Sequence, residues 1–298
     1  MSTPISGRSR RHHFIPQWFL ENFCEDHVLS ITRRGDGKKH QRSGTINTAA
    51  EKDLYTVVDN GRESSRIEDL MAVIDGAAQY PVKALLSQPP NALSLSEKED
   101  LLLWVASLYV RGPRWRREQE AGDEMLDNLT GTPVTLSHTD FVLRMCQNMH
   151  AISEWLVPRR IEVARFEGAG LILADSPVTL FSEYGVASPG PQGIGTAYMI
   201  QLPLSPQVAL RLVRSDVQSW PIAADLRGVL PINVHAAWFA VEEVYSAPSD
   251  EHHVEEIPEP WSSSPIINVD HAPKGIALGD GVNSAPIRRR HNRFRSRE

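Results

Sequence analysis

The spacing of apolar residues changes near residue 160 of this 298-residue chain, and that change limits the folds open to it. Between residues 64 and 157 apolar side chains recur at three- and four-residue intervals. Ile67, Leu70, Met71, Ile74, Ala78, Val82 and Leu85 predict a long amphipathic helix, capped by Ser64 or Ser65, ending near residue 87 and kinked at Pro81. Ser96-Glu97-Lys98-Glu99 has the form of a capping box and opens a second helix through Leu101, Leu102, Val105, Leu108 and Tyr109. That helix is disturbed at Gly112-Pro113 and continues past Trp115 to about residue 126. A third helix is predicted over 137–156, stopped by Pro158. After residue 160 the pattern turns to short β-rich runs at 161–166, 170–174, 197–202 and 208–213, separated by breakers. A helical block followed by a strand block predicts an α+β fold. The order is an amino-terminal short helix and hairpin, a central helical layer, then a mainly antiparallel sheet with a closing helix.

The flanks complete this layout. Residues 1–10 are polar and read as a flexible segment, and residues 11–246 as a single α+β domain. Residues 28–32 and 39–43 form a predicted hairpin around Arg34-Gly35-Asp36-Gly37. Residues 184–195 read as a surface loop. Residues 232–245 have helical spacing and supply the closing helix. Residues 247–298 read as a largely irregular tail, with arginines at 288, 289, 290, 293, 295 and 297 near its end.

The stretch Arg11-His12-His13-Phe14-Ile15-Pro16-Gln17-Trp18-Phe19-Leu20 joins two histidines to a proline-started turn. Proline suits the first position of a helix and drives the preceding residue extended. Residues 12–15 are therefore expected to be extended, with a short helix from Pro16 to about Asn22. Ile15, Trp18, Phe19 and Phe23 should fix one face of it to a core. Two imidazoles ahead of a helix N-terminus are favoured in the neutral form, which a metal ligand or general base requires.

These residues resemble the opening of a mainly bacterial family of domains of unknown function, which begins HHxxPQxxLxxF. Later stretches are similar to the same family in order. They are Glu51-Lys52-Asp53-Leu54-Tyr55, the paired steps Ile67-Glu68 and Ile74-Asp75, Arg111-Gly112-Pro113, Asp175-Ser176-Pro177-Val178 and Pro203-Leu204-Ser205-Pro206. Asp75 stands where the family usually has Glu, and Gly112 where it usually has Thr. The resemblance implies shared acidic and turn positions, and it implies no activity.

Composition removes several classes of function. A 41% hydrophobic and 23% charged chain is ordinary for a globular protein, and its net charge of −6 is wrong for a whole-molecule polyanion binder. Cys24 and Cys146 cannot build a disulfide framework, so a reducing cytoplasm is expected. Ser9-Arg10-Arg11 lacks the apolar run of an export signal, and the run 101–110 is too short to span a bilayer. No membrane partner is expected. No P-loop, dinucleotide fingerprint, CxxC zinc pattern or G-x-S-x-G elbow is present. The spacing of His27 and His40 after Asn22 excludes a His-Asn-His nuclease finger.

The remaining polar residues define two readings. In the first, the protein is a metal-assisted hydrolase such as a nuclease or phosphodiesterase. His12, His13, Glu68, Asp75 and Asp175 hold a divalent ion, His12 or His13 acts as base, and Arg111 clamps a phosphate. Glu68 and Asp75 lie two helical turns apart, roughly 10 Å along the axis, so they could line one cleft. Asp175 ends a predicted strand and is the acidic residue expected beside the histidines. Arg111, Arg114, Arg116 and Arg117 around Trp115, or the Arg-rich tail, could contact nucleic acid or another polyanion. In the second reading, the protein is a non-catalytic interaction protein whose histidine motif is structural.

Overall fold

A computed structural model describes residues 10–36, 38–131, 136–168, 170–181, 193–217 and 228–258. The fold is α+β. It opens with a short strand β1 (Arg11–His13), then Pro16 and a four-residue helix α1 (Gln17–Leu20) that runs into a 3-10 turn, Glu21–Phe23. Ile15, Phe19 and Phe23 are fully buried, as their spacing requires. A hairpin follows, of strands β2 (Leu29–Arg33) and β3 (His40–Ser43). Strand β4 (Ala50–Lys52) then returns to pair antiparallel with β1, setting His12 opposite Glu51. A small ribbon of β5 (Val57–Asp59) and β6 (Arg62–Ser64) leads into the helices.

The helical layer is α2 (Arg66–Ser87), α3 (Leu95–Arg111), α4 (Pro113–Thr130) and α5 (His138–Leu156). Helix α2 buries Met71, Ile74, Ala78, Val82 and Leu85, and it continues through Pro81. Leu70, expected in that stripe, is 40% exposed. Helix α3 is capped two residues earlier than the sequence suggested. The Ser94 hydroxyl accepts from the Glu97 N–H, and the Glu97 carboxylate accepts from the Ser94 N–H at 2.7 Å. Ser94-x-x-Glu97 keeps the same three-residue spacing but adds an exposed half-turn, Leu95 and Ser96, ahead of the buried Leu101 and Leu102. Gly112 is shared, ending α3 and starting α4, with Pro113 at the first position of α4. Helix α3 lies between α2 and α5, and Trp104 on it packs on Trp18 and Phe19, tying the amino-terminal turn to the helical core.

Two four-stranded antiparallel sheets follow. The first has the order β7-β11-β10-β9, from β7 (Arg160–Arg165), β9 (Thr179–Phe181), β10 (Met199–Ser205) and β11 (Val208–Val213). The second has the order β3-β2-β12-β8, using β8 (Leu173–Ala174) and β12 (Glu243–Ser246). The amino-terminal hairpin is therefore not separate. It is completed by strands from the far end of the chain.

The closing segment differs from its predicted form. Residues 232–245 are not one helix. Helix α6 (Val229–Phe239) ends before Ala240, and the chain turns into β12. The turn is made by Asp175, whose carboxylate takes the N–H groups of Val241, Glu242 and Glu243 away from helical pairing. The chain also stays ordered past 246. A 3-10 turn, Pro248–Asp250, leads to helix α7 (Glu251–Glu255), which buries Val254 with Ile257 following. His253 lies directly over Gly170, whose φ of 134° and lack of a side chain allow that approach. Residues 1–9 of the expected flexible segment 1–10, most of the loop 184–195 and the Arg-rich end lie outside the described residues. Arg10, at the edge of that first segment, is paired with Asp53. No described helix is long and apolar enough to cross a membrane.

Candidate functional site

The β1–β4 ladder and the inner edges of α2 and α3 bring five of the six expected site residues into one buried network. His12, buried on β1, accepts the backbone N–H of Tyr55 at its Nδ1, at 2.9 Å. Its ring stacks on the Tyr55 ring at 5.4 Å and 6°. Its Nε2 lies 3.5 Å from Glu68 Oε2, on a side chain 35% exposed. The Tyr55 hydroxyl donates to the His13 carbonyl at 2.9 Å and neighbours the Arg111 guanidinium. Arg111 is wholly buried and forms a two-pronged pair with Asp75, at 3.0 and 2.6 Å. Burial works against its charge, and the Asp75 carboxylate more than offsets this, holding Arg111 above its ordinary value.

The protonation pattern decides what His12 can do. Nδ1 must carry a lone pair to accept the Tyr55 N–H, so the neutral ring has its proton on Nε2. A metal ligand or general base acting through Nε2 needs the opposite tautomer. That tautomer would set two N–H groups against each other at Tyr55. Nδ1 is already occupied. In this conformation a ligand or base role at Nε2 would require the Tyr55 N–H to leave Nδ1.

The other candidates are similarly engaged. His13 is half-buried, contacts the Gln17 side-chain amide at 3.2 Å and is held by the Thr45 and Ile46 backbone. Burial pushes its imidazole below the ordinary value. The expected neutrality therefore comes from burial, since α1 is a single turn with little dipole. Arg111 is wholly buried with both terminal nitrogens on Asp75, so its guanidinium does not face solvent in this structure. Arg114 pairs with Glu118 and lies 4.2 Å over the Phe239 ring, Arg116 pairs with Glu51, and Arg117 pairs with Glu242. Trp115 is buried against Phe141, so it cannot stack a base. Each arginine of the cluster at 111–117 thus has an acidic partner within the chain, in partly exposed pairs for Arg116 and Arg117.

Asp175 is the residue the structure does not bring to the histidines. Its two oxygens accept the three backbone N–H groups of residues 241–243 at 2.6–3.0 Å. Burial pushes it up to about 6 against the pull of those donors. The next residue, Ser176, accepts the Arg114 N–H at the start of α4. Asp175 and Ser176 together join β8, α4 and β12, which explains their place in a turn motif. Among the described residues, no three His, Cys, Asp or Glu side chains are grouped so that they could hold a metal ion.

Two contributors were missed by sequence reasoning. Tyr55 is the hub of the network, and its only signal was an aromatic closing the segment 51–55. His235 on α6 is fully buried between Phe181 and Phe239, with Nε2 donating to the Leu180 carbonyl and Nδ1 without a hydrogen-bond partner among the described residues. Burial pushes it down to about 3. A single histidine in an apolar helix carries no sequence signal for this.

The family model described as protein of unknown function, DUF4238, matches residues 11–250, which span the network, the Asp175 turn and both sheets. No curated protein and no solved structure matches the chain.

Proposed function

This chain belongs to the DUF4238 family, and on that premise we propose that it is a non-catalytic interaction protein whose histidine motif is a structural clamp. The observation that carries this reading is the Tyr55 N–H on His12 Nδ1, which fixes the ring in a form unable to bind metal or take a proton through Nε2. Around it, Tyr55, Arg111 and Asp75 satisfy one another. The clamp holds β1 and α1 against α2 and α3. The contact with a partner then falls to the Arg-rich end, whose sequence from 288 to 298 holds six arginines and one acid, Glu298. Such a segment favours a polyanion, bound without sequence preference and released by salt.

A second reading is favoured by Glu68. Its carboxylate is partly exposed and lies beside His12 Nε2. A hydrolase using Glu68 as base would need no metal through His12.

The test is metal analysis of the purified chain with a nuclease and phosphodiesterase screen, run beside binding to a heparin column. The clamp reading expects no stoichiometric metal and no turnover. It also expects salt-sensitive retention that is lost on deleting residues 286–298, with the melting temperature nearly unchanged. Bound metal lost in His13→Ala, or turnover lost in Glu68→Gln, would replace it with the enzyme reading.

A further inference from the structure

The outward face of α2 carries a pattern that the clamp does not use. Asp69, Val73, Gly76, Tyr80 and Lys83 follow one another at steps of four, three, four and three and share one exposed stripe. Val73 is 69% exposed and Tyr80 63% exposed. Leu70 and Ala77 flank the stripe, and no charged residue lies on it between Asp69 and Lys83. Exposed apolar side chains in such a row mark a contact surface more often than scattered ones do.

Gly76 sharpens the point. An interior helical glycine lowers helix stability relative to alanine. Among the described residues a Cβ here would meet nothing within 4 Å, so none of the described packing calls for the glycine. A bare backbone patch at the centre of an apolar stripe suits the close crossing of another helix.

The stripe is self-complementary. A two-fold axis through Gly76 sets residue i opposite residue 152 minus i of an antiparallel copy. Asp69 then faces Lys83, Val73 faces the turn carrying Gln79 and Tyr80, and Gly76 faces Gly76. Opposite charges meet at both ends, and the bulky residues straddle the small centre. Asp69 also receives the Ser65 hydroxyl, which orients its carboxylate without removing its charge. The alternating four-three spacing gives a shallow crossing, as in helix pairs of 3-4 packing.

We propose that this protein forms a two-fold symmetric homodimer through antiparallel α2 helices crossing at Gly76. The inference goes beyond the clamp and the polyanion contact and rests on neither. One helix pair makes a small interface, so the dimer is expected to dissociate in the micromolar range.

The test is sedimentation of the full chain across concentration. Twice the 33.3 kDa chain mass is expected at the upper end. Val73→Glu should leave a monomer with unchanged circular dichroism. Asp69→Lys alone and Lys83→Asp alone should each weaken the dimer about 5- to 30-fold, since each turns two attractive pairs repulsive. Mixing those two variants should restore it, because both pairs are then complementary across the heterodimer. A chain that stays monomeric up to about 100 µM, far above the expected range, would overturn the proposal. So would a dimer indifferent to Val73→Glu, or variants that do not recover on mixing.

Discussion

Asp75→Ala should be among the most costly single changes in this protein, although Asp75 sits at the rim of the network. The Arg111 side chain has no exposure, whereas that of Asp75 has 18%. Arg111 Nε has no hydrogen-bond partner among the described residues, so the two bonds to Asp75 are the main compensation for a buried cation. Breaking a buried pair by removing one partner costs about 3–5 kcal/mol. Water can reach the Asp75 side, which places the expected cost near the lower end, about 3 kcal/mol. For a chain of this size that lowers the melting temperature by roughly 5 °C. Arg111→Met should cost less, because the carboxylate left behind keeps access to water. The double variant Asp75→Leu with Arg111→Met should be more stable than Asp75→Ala alone, since it leaves no buried charge. Urea and thermal unfolding followed by circular dichroism measure all three. A cost below about 1 kcal/mol for Asp75→Ala, the value of an exposed pair, would refute the view that this pair is a buried structural element. So would a double variant that is less stable than Asp75→Ala.

Three further outcomes follow from other parts of the fold. Asp175→Asn should lose about 1–3 kcal/mol, because an amide offers one acceptor oxygen where three backbone N–H groups converge and turns its own N–H toward one of them; chemical denaturation reads this. His235 is neutral in the fold, with its value pushed down to about 3 from an ordinary 6.5, so its stabilising share is complete above pH 6.5 and is lost as pH falls toward 3. His235→Phe should be less stable than wild type at pH 7, having lost the bond to Leu180, and the gap should narrow steadily below pH 6.5. Gly170→Ala should loosen helix α7, since a methyl group would strike the His253 ring and the φ of 134° is strained for alanine, at about 1–3 kcal/mol; faster hydrogen exchange over residues 251–257 is the expected sign.

The helical layer was legible because its information is local. Stripes at helical spacing and the Gly112-Pro113 break placed α2 to α5 within a few residues. The start of α3 was set two residues late because Ser94 and Ser96 both head an S-x-x-E pattern, and only the backbone geometry chooses between them. The strands at 160–213 were visible from composition, but their partners were not. Strand β12 lies between β2 and β8, a pairing across most of the chain, and the residues of 232–245 are apolar enough to satisfy either period. What splits that run is a side chain some 66 residues earlier, Asp175, bound to the Val241 N–H. The site shows the same division. The motif drew attention to His12, His13, Glu68, Asp75 and Arg111, and the fold does bring them together. Their chemistry depends on who donates to whom, and that is set by Tyr55 and by the pairing of Arg111 with Asp75.

The central claim is that the His12 ring is locked by the Tyr55 N–H and is structural. Nitrogen-15 NMR of the histidine rings, recorded with and without added zinc or manganese, tests it most directly. The account predicts that neutral His12 carries its proton on Nε2, with Nδ1 as a hydrogen-bonded acceptor, and that neither signal moves when metal is added. A proton on Nδ1, or an Nε2 resonance that shifts or broadens with stoichiometric metal, would contradict the account and return His12 to the role of ligand.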